Sequence, residues 1–184
     1  MQNQWIEAIG SVNGYVEELR KSDVVGARVS LVSFDSVTPY NVVRDKVAVS
    51  DFIPITTTEI YPRGGTPLYD TVGLVLAEAN KVNAEKTVIA IMTDGQENGS
   101  KEFNVLAIKA AIKQAEAKGW EVLFLGANFD VKTYADSFGL HASKFINTSD
   151  GTRGAVFRGM AQSSAMYASG AVMEFTDAQK AAAQ

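Results

Sequence analysis

The sequence predicts an α/β fold: a three-layer, Rossmann-like arrangement with a mostly parallel central sheet, one antiparallel edge strand and helices on both faces. Three observations carry this. Segments with helical spacing alternate with short apolar or β-branched runs along the chain. The run Thr87–Met92 is continuously apolar after its threonine, the signature of a strand buried on both faces, and Glu121–Leu125 reads as a second buried strand. Turn residues, namely Asp35, Thr93-Asp94 and Asn128 to Asp130, fall at strand carboxyl ends, where chemistry collects in such folds.

The elements follow in order. Trp5, Ile9, Val12, Val16 and Leu19 line one face of a helix over Asn3 to Lys21, which Ser22-Asp23 and Gly26 stop. Arg28 to Phe34 reads as a strand ending in a turn at Asp35-Ser36. Asn41 to Phe52 reads as a second strand, antiparallel to the first; its Arg44, Asp45 and Lys46 suit an edge. A loop over Thr56 to Thr66 contains Pro62 and Gly64-Gly65, and Pro67 then suits the first turn of a helix reaching about Val82. After the Thr87–Met92 strand, a helix over about Glu102 to Lys118 ends at Gly119, placed for a left-handed cap. A short helix over Val131 to Phe138, a short strand over Lys144 to Asn147 and a helix from Gly154 to about Ala168 complete the pattern. The reading is a single domain over residues 1–175, with 176–184 as a frayed tail.

Composition narrows the function. A chain of 184 residues with 46% hydrophobic residues is long enough for a core without staples. The absence of cysteine excludes thiol catalysis, disulfides and Cys-based zinc sites, and a single histidine, His141, argues against a His-relay enzyme. A net charge of −4 gives no footprint for nucleic acid. No apolar run approaches the ~20 residues that span a membrane, and the start lacks a secretion signal, so a cytoplasmic location is expected.

Two motifs stand out: Arg63-Gly64-Gly65-Thr66-Pro67-Leu68-Tyr69-Asp70-Thr71, and Ile91-Met92-Thr93-Asp94-Gly95-Gln96-Glu97-Asn98. In this order, on alternating strands and helices, they resemble the von Willebrand factor A domain family. The run Trp120 to Asn128 is similar to its bacterial and bacteriophage members. The resemblance implies a binding module with no catalytic chemistry, used for protein–protein contact at the carboxyl edge of the sheet. It also implies a metal-ion-dependent adhesion site holding Mg²⁺ or Mn²⁺, with Thr66 and Asp94 as ligands. Hydroxyl, carboxylate and water oxygens suit such a hard cation. Asp35, Gly65, Gly95 and Asn128 stand as neighbouring or interaction residues.

The family's first strand, which ends in Asp-x-Ser-x-Ser and supplies three further ligands, has no counterpart in this sequence. The resemblance would place that strand between Arg28–Phe34 and Thr87–Met92. Its absence implies an incomplete metal site and two open inner sheet edges, with three outcomes: the sheet closes up, another chain donates a strand, or the sheet stays split. Closure or filling by contact, in an oligomer or with a partner, is expected. A structural or assembly subunit, for instance of a phage particle, completed in this way is one alternative. A metal-assisted hydrolase using Asp94 and Asp35 is another.

Local roles also fit several of these residues. Thr66 before Pro67 suits a helix N-cap; Asp94 suits a turn residue capping the helix near Lys101; Asp70 in a first helical turn suits the helix dipole; and Asp35 suits a turn. His141 and the pair Arg153 and Arg158 read as surface residues. The Gly64-Gly65 pair is not followed by Lys-Ser/Thr, which excludes a P-loop.

Overall fold

A computed structural model describes residues 2–61, 63–127 and 131–183, so the readings of Pro62, Asn128 and Asp130 lie outside the described residues. The chain is α/β, with six helices, a three-stranded parallel sheet and a two-stranded antiparallel sheet among those residues. It divides into two compact units: Met1–Ser33 with Asn41–Pro62 and Thr148–Gln184, and Phe34–Tyr40 with Arg63–Asn147.

The first unit begins with α1, Gln2–Lys21. It is followed by β1, Arg28–Ser33, and β2, Asn41–Ala48, which pair antiparallel with two shifts of register between Val29 and Val32. The strand expected to reach Phe52 stops at Ala48, because a 3-10 turn over Val49–Asp51 follows. Ile9, Val16 and Leu19 of α1 pack with Val49, Phe52, Ile55 and Ile60. Polar side chains of α1 pin the segment after β2. The Asn13 amide exchanges two hydrogen bonds with the Ile55 backbone, at 2.9 and 2.8 Å. Trp5 Nε1 donates to the Ile60 carbonyl at 2.9 Å.

The unit ends in α5, Arg153–Ala168, and α6, Asp177–Ala182. Where the sequence suggested a frayed tail, Thr176 and Gln179 form a reciprocal capping box that starts α6. Arg153 is not a surface residue. It is 3% exposed, lies 3.7 Å from Glu7 and 3.6 Å from Asp150, and donates to the Gln4 carbonyl. Arg158 is exposed, as expected.

The second unit contains α2, Leu68–Ala79; β3, Val88–Thr93; α3, Val105–Ala117; β4, Glu121–Ala127; α4, Val131–Phe138; and all but the last residue of β5, Phe145–Thr148. The sheet order is β3-β4-β5, with Ile89 opposite Val122 and Ile91 opposite Phe124. These four side chains share one face and pack with Leu68, Val72, Ile108, Ile112, Val131 and Phe138 of the three helices. Helix ends are set by their caps. Asn104 accepts from Ala107 N at the start of α3. At its end Gly119, with φ 79°, lets Gly119 N reach Glu116 O and Trp120 N reach Ala115 O.

Two expectations are corrected here. The single central sheet is replaced, among the described residues, by two separate sheets, β1-β2 and β3-β4-β5. In addition, β3 is not buried on both faces: among the described residues it lies at the edge of its sheet, and Ala90 on it is exposed. No helix among the described residues is long and apolar enough to cross a membrane.

Candidate functional site

Three loops of the second unit meet beside the N-terminus of α2: residues 35–38, 63–67 and 93–100. Side chains of the first and third loops serve the backbone of the second. Asp35 is buried and forms the turn expected of it, its Oδ1 accepting from Val37 N at 2.8 Å and Thr38 N at 2.7 Å. Its Oδ2 accepts from Arg63 Nε at 2.7 Å, and Arg63 also donates to Thr38 Oγ1. Burial pushes the Asp35 carboxyl up. The Thr38 N–H, the Arg63 guanidinium and the Val37 N–H outweigh this and hold it below its ordinary value.

The Gly-rich loop is stitched on both sides. Ser36 N donates to Gly65 O at 3.0 Å, and Gly65 N donates to Ser36 Oγ at 2.8 Å. Thr66 N donates to Asn98 Oδ1 at 2.7 Å, and Asn98 N donates to Thr66 O at 3.1 Å. The glycines are required by closeness. A Cβ on Gly65 would stand 2.5 Å from Asn98 Oδ1, and one on Gly95 would stand 2.8 Å from Thr66 Oγ1.

The start of α2 is capped from a distance. Pro67, not Thr66, occupies the N-cap position, and no side chain of its own segment caps the helix. Instead Tyr69 N donates to Glu97 Oε2 at 3.0 Å and Asp70 N to Ser100 Oγ at 3.0 Å. Glu97 Oε1 also accepts from Gly99 N and Ser100 N, each at 2.7 Å. Asp70 returns the service: its oxygens accept from the N–H groups of Lys101, Glu102 and Phe103 at 2.8, 3.0 and 2.8 Å. The role read for Asp70 at the helix dipole is thus extended to the adjoining loop. For both carboxyls burial raises the pKa, and these hydrogen bonds more than offset it, so both lie below their ordinary values.

Asp94 does not cap the following helix, since α3 begins at Val105 under Asn104. It is exposed at the carboxyl end of β3. Neither its carboxylate nor Thr66 Oγ1 has a hydrogen-bond partner among the described residues. Thr93, one residue earlier, turns its buried hydroxyl onto Gly95 O at 2.9 Å and shapes the turn. Of the residues singled out in the sequence, Thr66, Gly65 and Gly95 are brought together, with Asp94 next in the chain; Asp35 is held at the other side by Arg63. His141 lies apart and exposed, its ring accepting from Ser143 N.

Among the described residues these donors do not make up a closed divalent-cation site. The carboxylates of Asp35, Asp70 and Glu97 are committed to N–H groups and to Arg63, which leaves, among the described residues of these loops, the Asp94 carboxylate and the Thr66 hydroxyl. Among the described residues no group of three His, Cys, Asp or Glu is arranged to hold a metal. No protein-family model and no curated protein matches the chain. The roles of Glu97, Ser36, Asn98 and Ser100 were not foreseen, because each depends on a contact some 30 residues away that no local spacing encodes.

Proposed function

We propose that this chain is a non-catalytic protein-binding module of the von Willebrand factor A type, with an incomplete metal site. Contact runs through the loops at the carboxyl edge of the β3-β4-β5 sheet. The reading is supported above all by the way these loops spend their polar groups. Asp35, Asp70 and Glu97 act as internal fasteners, so a rigid platform presents Asp94 and Gln96 outward with no general acid–base pair between them. A hydrolase built on Asp94 and Asp35 gains no support, since both Asp35 oxygens are engaged.

A photoreactive amino acid at Gln96, set against the same group at exposed Glu116, tests the module reading in the native cell. Protein adducts specific to position 96 are expected; equal labelling at both sites overturns the reading. Calorimetric titration tests the metal part. No saturable Mg²⁺ or Mn²⁺ binding is expected below ~1 mM, whereas stoichiometric micromolar binding lost in Asp94→Ala would restore a working adhesion site.

A second reading, an assembly subunit completed by a strand from another chain, is favoured by one observation. Among the described residues the β3 edge has no strand beside it, and β3 carries no charged residue. Hydrogen exchange at Ala90, in the isolated chain and in its native assembly, tests this reading. Protection gained only on assembly supports it.

A further inference from the structure

The edge of β3, unpaired among the described residues, has a near-symmetric pattern about its centre. In a parallel ladder alternate residues turn both N–H and C=O to one side, and Glu121 N donates to Thr87 O. Thr87, Ile89, Ile91 and Thr93 therefore face β4, and Val88, Ala90 and Met92 turn their backbone groups outward. The central residue of the outward set, Ala90, is small and exposed. From Lys86 the sequence runs Lys-Thr-Val-Ile-Ala-Ile-Met-Thr-Asp. About Ala90, threonine mirrors threonine, valine mirrors methionine, isoleucine mirrors isoleucine, and lysine mirrors aspartate.

We infer that β3 pairs with β3 of a second copy, antiparallel and centred on Ala90, and joins two three-stranded sheets into one. This names the strand donor for the strand-addition reading above and rests on that reading. In this register Val88, Ala90 and Met92 each exchange both backbone groups with the second copy. Ile89 then lies opposite Ile91, and Val88 opposite Met92, as apolar cross-strand pairs on the two faces. Lys86 and Asp94, both exposed, come opposite one another at each end and supply the charge complementarity that selects this register. The edge lacks the usual protections, a lysine, a proline or a bulge within the strand, and its pairing with β4 runs without a register shift. The far edge of the sheet is only the four-residue β5.

Sedimentation over a concentration series, with hydrogen exchange at Ala90, tests the inference on the full chain. A species of twice the 19.8 kDa chain mass is expected, with slow exchange at Val88, Ala90 and Met92. Ala90→Pro removes an outward N–H without touching a bond to β4 and should abolish the dimer. Lys86→Glu or Asp94→Lys alone should weaken it roughly tenfold, and the two together should restore it; this exchange keeps the test decisive where the proline variant fails to fold. A dimer indifferent to all these changes overturns the inference. A monomer with fast exchange at Ala90 also overturns it, but leaves the edge open to a foreign strand. A monomer with slow exchange at Ala90 overturns both.

Discussion

Glu97 accepts the backbone N–H of Tyr69 at 3.0 Å, so the loop after β3 supplies the cap that α2 lacks in its own sequence. Through Ser100 the same loop takes the Asp70 N–H, and through Asp70 the helix fastens residues 101–103 in return. A helix start with orphan N–H groups and a loop with several part-buried donors satisfy each other. The apolar platform beneath them, with Phe138 edge-on to both Tyr69 and Phe124, fixes where this exchange happens.

Asp70→Asn should be among the most damaging single changes in the second unit. The amide would turn an NH₂ toward backbone donors that now meet a carboxylate, leaving at least one part-buried N–H unpaired. A loss of about 3 kcal/mol is expected from such an orphaned donor and its lost charge-assisted bonds. For a chain of this size that corresponds to a melting temperature lower by roughly 10 °C, which thermal unfolding by circular dichroism will read. A change under about 1 kcal/mol would mean that the loop over 101–103 is held by something other than Asp70.

Stability should fall on acidification from neutral pH. Burial raises the pKa of Asp35, Asp70 and Glu97, yet the hydrogen bonds to each carboxylate prevail and lower it from ordinary values of 3.8, 3.8 and 4.5. Groups depressed in the folded state contribute stability that is complete above the unfolded value and vanishes as pH drops through the folded one. Urea midpoints should therefore hold steady from pH 7 down to about 5.5 and decline below about 4.5. The decline should be shallower in Asp70→Asn, which carries one fewer such carboxylate. A midpoint that rises below pH 4.5 would refute the sign.

Helix and strand positions were largely legible because they depend on local spacing. The apolar period of α1, the β-branched run of β1 and Gly119 after α3 each act within a few residues. Two boundaries slipped for local reasons: β2 yields to a 3-10 turn at Val49, and α2 starts after Pro67 instead of at it. The site was legible only in outline. Thr66, Gly65 and Gly95 do converge, but Ser36 and Asn98, which hold Gly65 and Thr66, and Glu97, which holds the start of α2, act across gaps that carry no periodic signal. Arg153 was misread for a related reason: its burial is set by Glu7 and Gln4, almost the whole chain away.

Gly64→Ala and Gly26→Ala should differ in cost although both residues have positive φ, 62° and 72°. At Gly26 an added Cβ meets open space, so only the left-handed backbone strain of about 1 kcal/mol applies. At Gly64 it would stand 2.1 Å from Ser36 Oγ, the atom that accepts the Gly65 N–H. Relieving that clash breaks the stitch between the two loops, and a total of about 3 kcal/mol is expected. Chemical denaturation of the two variants side by side measures the difference; equal costs would show that Ser36 swings away freely.

Gly73→Ala and Gly10→Ala should move stability in opposite directions. Both glycines lie inside helices, where alanine is better by about 0.5–1 kcal/mol on backbone entropy alone. Gly10 in α1 is exposed and has no neighbour within 4 Å of an added Cβ, so the full gain should appear. At Gly73 in α2 the new methyl would lie 2.9 Å from three atoms of the Phe103 ring. Phe103 cannot retreat easily, because its N–H is bound to Asp70 at 2.8 Å, one turn of α2 away. Overpacking of about 2 kcal/mol should outweigh the propensity gain and leave Gly73→Ala destabilised. Urea unfolding of the two single variants and of Gly73→Ala combined with Phe103→Leu decides the cause. If the ring is the obstacle, the alanine costs less beside leucine than beside phenylalanine, and an unchanged cost would place the obstacle elsewhere.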